Sequence, residues 1–188
     1  MKNNLNNMEG LDIYLSSMSQ DDFKQKGMEV QPVNYKSMPL ISWDIYMENY
    51  QNMLVASKKK MELSEVTTLA KKYQWQNDLN LVFSEHEYEA IIITDIKQNI
   101  IWVNEGFTKM TGYSQKFALN KTPNFLQGKE TSIETKNRIR SKIMQNKPFK
   151  EIIINHKKDS TTYKCEVNII PLYNKETTHF IALEKQVV

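Results

Sequence analysis

The residues that most often carry chemistry are few in this chain. It holds one cysteine, Cys165, and three histidines, His86, His156 and His179. A lone cysteine excludes an intrachain disulfide framework, and the histidines do not fall into a metal-ligand spacing. No glycine-rich phosphate loop is present, and no nucleophile, base and orienting group can be assembled. What stands out instead is a short polar and apolar segment, Asn120 to Gly128, in which Thr122 precedes Pro123. Two polar side chains also fall on apolar faces of strand-like runs. Cys165 alternates with Tyr163, Val167 and Ile169, and Glu184 shares a face with Phe180 and Ala182. On such a face Cys165 acts as a small hydrophobe. Glu184 either points inward, where its carboxylate needs a partner or a raised pKa, or lies at a frayed strand end in water.

The chain has 188 residues, long enough for one good core and an extension. Its 25 basic and 22 acidic residues leave a net charge of +3, too weak and too dispersed to imply a nucleic-acid face. The N-terminus has no apolar signal region, and no apolar run approaches the roughly 20 residues that span a bilayer. A soluble, cytoplasmic, reducing setting is expected.

Residues 1–38 are rich in Asn, Ser, Gln, Asp and Lys without periodicity and read as a mobile segment. Residues 39–85 read as a helical extension. Trp43, Tyr46, Met47, Tyr50, Met53 and Leu54 make one apolar stripe on a helix of about 20 residues that ends at Lys58 to Lys60. Ser64 is the expected cap of a second helix, with Val66, Leu69, Ala70 and Tyr73 on one face, ending near Asn80. These stripes either pack on the C-terminal domain or form a dimer or partner contact.

From residue 86 the period shifts to that of strands. Ala90 to Thr94 and Ile100 to Val103 read as a hairpin across the turn Asp95 to Asn99. Asn104 suits an N-cap for a short helix to Thr111, which Gly112 ends; Ser114 suits another through Leu119. Thr122 and Pro123 start a turn that Gly128 closes. Ser132 starts a longer amphipathic helix with Ile133, Ile139 and Ile143 apolar, stopping before Pro148. Strands at 150–156, 161–170 and 178–185 complete an antiparallel meander.

This order, with Asn104, Glu105, Gly106 and Phe107 leading into Thr111, Gly112, Tyr113 and Ser114, resembles a PAS domain over about residues 86–187. The resemblance implies an α+β fold, a five-stranded antiparallel sheet with short helices enclosing a pocket, preceded by N-terminal helices. Phe125 to Gly128, Glu130 and Thr131, Arg138 to Arg140, and Asn155 to Asp159 resemble the LOV branch, the blue-light flavin sensors. That resemblance makes Thr94, Gln127, Arg140, Asn155, Cys165 and Glu184 the candidate pocket. Gln127 and Asn155 would face the flavin ring and Arg140 its phosphate.

Four positions depart from the LOV pattern. Pro123 stands where the reactive cysteine would be, Asn124 where a second phosphate-binding arginine would be, Cys165 for a ring-binding asparagine and Glu184 for the responding glutamine. Cysteine-adduct photochemistry is excluded at that site. Each buried polar group left without a partner costs about 1–3 kcal/mol, and about 1.4 kcal/mol is tenfold in affinity. The cofactor is thus left unknown, with FMN, another small-molecule ligand and an empty pocket all open. Residues 131–146 offer no histidine, which argues against haem, and His156, at a strand end, and His179, opening the last strand, read as surface residues rather than ligands.

The expected function is a stand-alone, non-enzymatic PAS sensory or protein-interaction module that signals through packing or homodimerisation of its N-terminal helices. One alternative is a flavin photosensor without adduct chemistry. Another is a nucleic-acid or regulator-binding adaptor using Lys58 to Lys60, Lys71 and Lys72.

Overall fold

A computed structural model describes residues 41–187, with side chains described from Tyr46 onward. The segment 1–38 and the side chain of Trp43 lie outside the described residues.

Helix α1 runs unbroken from Ile41–Tyr73, 33 residues, where the sequence predicted two helices. Nothing in it breaks a helix: it contains neither Gly nor Pro. Ser64 does not cap. Its carbonyl accepts the Thr68 hydroxyl at 3.0 Å, while the Thr67 hydroxyl bonds the Leu63 carbonyl at 2.7 Å, so both threonines fold back onto the helix interior. The helix ends at Gln74, whose φ of 58° is left-handed, and the Trp75 amide closes on the Ala70 carbonyl at 3.0 Å. A second helix, α2 (Leu79–Glu85), is capped by Asp78, whose side chain accepts from the Leu81 amide. Asn80, expected to end a helix, lies inside this one.

Five strands follow: β1 (Ala90–Asp95), β2 (Ile100–Val103), β3 (Phe149–His156), β4 (Thr162–Asn174) and β5 (Glu176–Val187). They form one antiparallel sheet in the order β2-β1-β5-β4-β3. Between β2 and β3 lie α3 (Glu105–Thr111), α4 (Gln115–Ala118), a 3-10 turn (Pro123–Leu126) and α5 (Ile133–Met144). Ser114 and Ser132 cap as expected, and Gly112, at φ 75°, ends α3. Thr122 makes no side-chain cap bond, so Pro123 alone starts its turn. Gln127, rather than Gly128, closes it.

The sheet is covered on both faces, which explains the unbroken apolar run of β1. Ala90 and Ile92 face an inner core with Ile100, Phe107, Met110, Leu126, Ile153, Tyr163, Cys165 and Val167. Ile91 and Ile93 face an outer core with Ile170, Leu172, Ile181, Leu183, Val66, Trp75, Leu79 and Phe83. A strand buried on both sides has no polar alternation to show. The outer cover comes from the C-terminal third of α1 and from α2, with Leu69, Ala70 and Tyr73 packed against it. The stripe at Tyr46, Met47, Tyr50, Met53 and Leu54 is exposed instead. Ile133, expected on the apolar face of α5, is exposed too, while Ile139 packs on the inner core.

Candidate functional site

The inner face of the sheet gathers an unusual amount of polar chemistry. Asn155, on β3, pairs in register with Tyr163 on β4, and Glu184 on β5 lies opposite both Val167 and Ala90. Asn155, Tyr163, Cys165 and Glu184 are all buried, at 5% exposure or less. The Cys165 thiol donates to Glu184 Oε2 over 3.7 Å, a weak bond and the one hydrogen bond of that carboxylate among the described residues. Burial pushes the Glu184 carboxyl up to about 7, with the thiol's bond only partly opposing it. Burial and then the nearby Glu184 charge raise both the Cys165 thiol and the Tyr163 phenol well above their ordinary ranges. The Tyr163 hydroxyl is buried beside the Asn155 side chain, which partly opposes this rise, without a well-formed hydrogen bond.

His156, beside Asn155 at the end of β3, packs against Gly128. The sequence reading took it for a surface residue, but it is half-buried and its Nδ1 is shielded without a partner. Its ring lies so close over Gly128 that any side chain at 128 would collide with it. Gly128 is therefore required by close approach, its amide held by the Thr131 hydroxyl at 2.9 Å, which in turn donates to the Ile154 carbonyl at 2.6 Å.

Further along the same face a cavity of about 60 Å³ is lined by Ile92, Thr94, Gln98, Pro123, Ile143, Ile169, Phe180 and Ala182. Thr94 is buried there. Since one water occupies about 30 Å³ of liquid and cofactor pockets run to roughly 300–1,000 Å³, this packing does not fit a flavin ring. Its walls would have to part. The structure thus places Asn155, Cys165 and Glu184 together and Thr94 at the cavity. Gln127 is half-buried after the 3-10 turn, and Arg140 is exposed on α5. Glu184 is inward, so the reading of it as a frayed, solvated end is corrected. Tyr163 and Gln98 went unchosen by sequence reasoning, although Tyr163 lay on the inward side of the alternation that located Cys165.

Helix α1 is joined to this domain through polar bonds. Asn104 Oδ1 accepts from the Ile91 and Phe107 amides, each at 2.9 Å, and its Nδ2 donates to Glu62 Oε1 at 2.8 Å. The Tyr88 hydroxyl donates to Glu62 Oε2 at 3.1 Å. Gly106 lies against the Glu89 carbonyl so tightly that a Cβ would overlap it. At the other end, Trp75 Nε1 donates to His179 Nδ1 at 3.2 Å, and the rings of Tyr73 and Trp75 pack on the imidazole. His179, read from sequence as a surface residue, is buried. Burial lowers its pKa while Asp95 opposes, and Nδ1 as acceptor requires the neutral ring.

A PAS domain family model matches residues 89–185, slightly more than half of the chain. The chain belongs to the PAS domain family. Its likeness to a blue-light photoreceptor of Listeria monocytogenes is 37% identity over 102 residues, covering 52% of this chain and 40% of that protein. A nitrogen fixation regulatory protein of Klebsiella oxytoca is 31% identical over 100 residues, covering 52% of this chain and 20% of that protein. The chain therefore spans less than half the length of these relatives. The LOV domain of the Erythrobacter litoralis blue-light activated histidine kinase superposes with a TM-score of 0.51 at 25% identity, covering 54% of this chain and 98% of that domain. The PAS domain here is a sensory domain of the LOV-like branch. No helix among the described residues is long and apolar enough to cross a membrane.

Proposed function

We propose that this PAS domain is the sensing part of a cytoplasmic signal-transduction protein, with residues 86–188 as sensor and 39–85 as helical output, and without catalytic activity of its own. The observation that carries the reading is the buried group Asn155, Tyr163, Cys165 and Glu184. A hydroxyl with no well-formed hydrogen bond and a carboxyl held, among the described residues, by a weak thiol bond are costly to keep in a core. They are the groups a small ligand would satisfy. Output through α1 is supported by its exposed Met53, Leu54, Val55 and Met61, which suit a second copy of the chain. Native mass spectrometry of the purified protein tests both parts. A bound mass of a few hundred daltons and a dimer that Met53→Glu dissociates are expected; a ligand-free monomer under all conditions would reject the reading.

A second reading is a flavin photosensor without a cysteine adduct. The buried Asn155, at a position where LOV domains contact the ring, and the likeness to photoreceptors favour it. It requires the cavity to open, and a protein that stays colourless after reconstitution with excess FMN would end it. Nucleic-acid binding through Lys58 to Lys60, Lys71 and Lys72 has no comparable support: Lys58 approaches Glu62 at 4.0 Å and Lys72 lies over Tyr73.

A further inference from the structure

Asn104 bonds three separate layers through a single side chain. Its Oδ1 holds the Ile91 amide of the central strand and the Phe107 amide at the start of α3, and its Nδ2 reaches Glu62 on α1. Phe107 is fully buried in the inner core, whereas Val66, one turn along α1 from Glu62, is fully buried in the outer core. We infer that Glu62 is the residue through which α1 reads the state of the inner pocket, with Asn104 as the shared joint.

Geometry makes the joint sensitive in both directions. Ala90 and Ile92 of β1 pack among the inner-core residues, and Gly106 seats α3 directly on the Glu89 carbonyl just before that strand. There is no slack at this contact, so a shift of β1 or α3 moves Asn104. The Glu62 carboxylate is itself buried and uses both oxygens, one on Asn104 and one on Tyr88. Tyr88 precedes β1, so α1 is fastened to the same strand from two sides. Within packed layers a displaced hydrogen-bond joint changes partners rather than stretching, because bond strength falls off steeply with distance and angle. The coupling needs no net charge change. It needs only that Asn104 keep or lose Glu62.

The inference rests on the inner pocket being the sensing site, but its test needs no ligand. Hydrogen exchange of α1 amides around residues 59–70 is measured in the full chain, with pocket packing altered by Ala182→Val, which adds bulk at the cavity wall. Wild-type background should show at least a threefold change in α1 exchange, and Glu62→Ala background should show none. Asn104→Asp keeps the oxygen that caps α3 and loses the donor to Glu62, so it should uncouple α1 in the same way while the strand amides stay protected. Equal response of α1 with and without Glu62, or no response in wild type, overturns the inference. If Ala182→Val does not fold, Thr94→Val at the same cavity serves. Absence of a bound mass in native spectrometry would instead remove the sensing reading while leaving this result to stand as a mechanical link.

Discussion

The two faces of the sheet treat polar groups in opposite ways. On the outer side, where α1 and α2 lie, buried Glu62 is bonded to Asn104 and Tyr88, and buried His179 to Trp75. On the inner side the Tyr163 hydroxyl is buried beside Asn155 without a well-formed hydrogen bond, and among the described residues Glu184 has only a weak thiol bond. One face is built as an ordinary core around satisfied bonds, and the other keeps groups that stability alone would remove. Natural domains accept such local conflict at functional positions.

The contrast can be broken most directly at its seam. Asn104→Ala leaves the Ile91 and Phe107 amides without their side-chain acceptor and Glu62 Oε1 without its Asn104 donor, with Tyr88 still on Oε2, and should cost on the order of 3–5 kcal/mol by urea unfolding. A loss below about 1 kcal/mol would show that water replaces the side chain and that the outer layer is not held as described.

Glu184 should give a smaller, pH-dependent effect of opposite sense. Its carboxyl titrates near 7 in the folded chain and near 4.5 in the unfolded one, so the folded state binds more protons between those values. Stability contributed at this site therefore falls as pH rises from about 4.5 to 7 and is flat beyond. Glu184→Gln should be nearly neutral at pH 4.5 and stabilising by about 3 kcal/mol at pH 8, since each pKa unit is worth about 1.4 kcal/mol. A pH-independent difference between the two proteins would mean that the carboxylate has a partner unaccounted for.

His179 predicts a third effect, again opposite in sign. Its pKa is lowered on folding, so stability from the Trp75 bond is present above the ordinary histidine range near 6.5 and is lost as pH falls below it. Trp75 fluorescence should report this, and His179→Gln should remove the acid sensitivity at a cost of about 1–2 kcal/mol at neutral pH. The smallest change is Tyr163→Phe. Removing a buried hydroxyl that has no well-formed hydrogen bond should be neutral or stabilising by up to about 1 kcal/mol, in chemical denaturation without ligand. A clear loss would reveal a bridging water and bring the inner face closer to the outer one.

Local signals made most of the fold legible. The caps Asn104, Ser114 and Ser132, the left-handed Gly112 and the strand alternation each act within a few residues, and each is found where the sequence places it. Errors came where tertiary contact decides. Lys58 to Lys60 and Ser64 looked like an end and a start, yet a chain without Gly or Pro stays helical through them once Glu62 and Val66 are fastened to the domain. His156 and His179 were misjudged because their burial comes from Gly128 and from Trp75, far away in sequence. The aromatic stripe at residues 46–50 drew attention by its periodicity, but periodicity does not say which stripe wins the sheet. Val66, Ala70 and Tyr73, with smaller residues among them, approach it closely. At the site, the alternation on β4 and β5 located Cys165 and Glu184, while the lack of partners that gives them meaning belongs to three dimensions.

The double covering of β1 also limits how this domain can move. Its side chains alternate between two finished cores, Ala90, Ile92 and Thr94 on one side and Ile91 and Ile93 on the other. Sliding the strand by one residue would swap the two sets and ruin both cores at once, and sliding by two would break its pairing from Ala90 opposite Glu184 to Asp95 opposite His179. Translation along the strand is therefore closed as a signalling coordinate. What remains is a tilt or twist of the sheet as a body, a motion small at the pocket and larger with distance along any helix rooted in it.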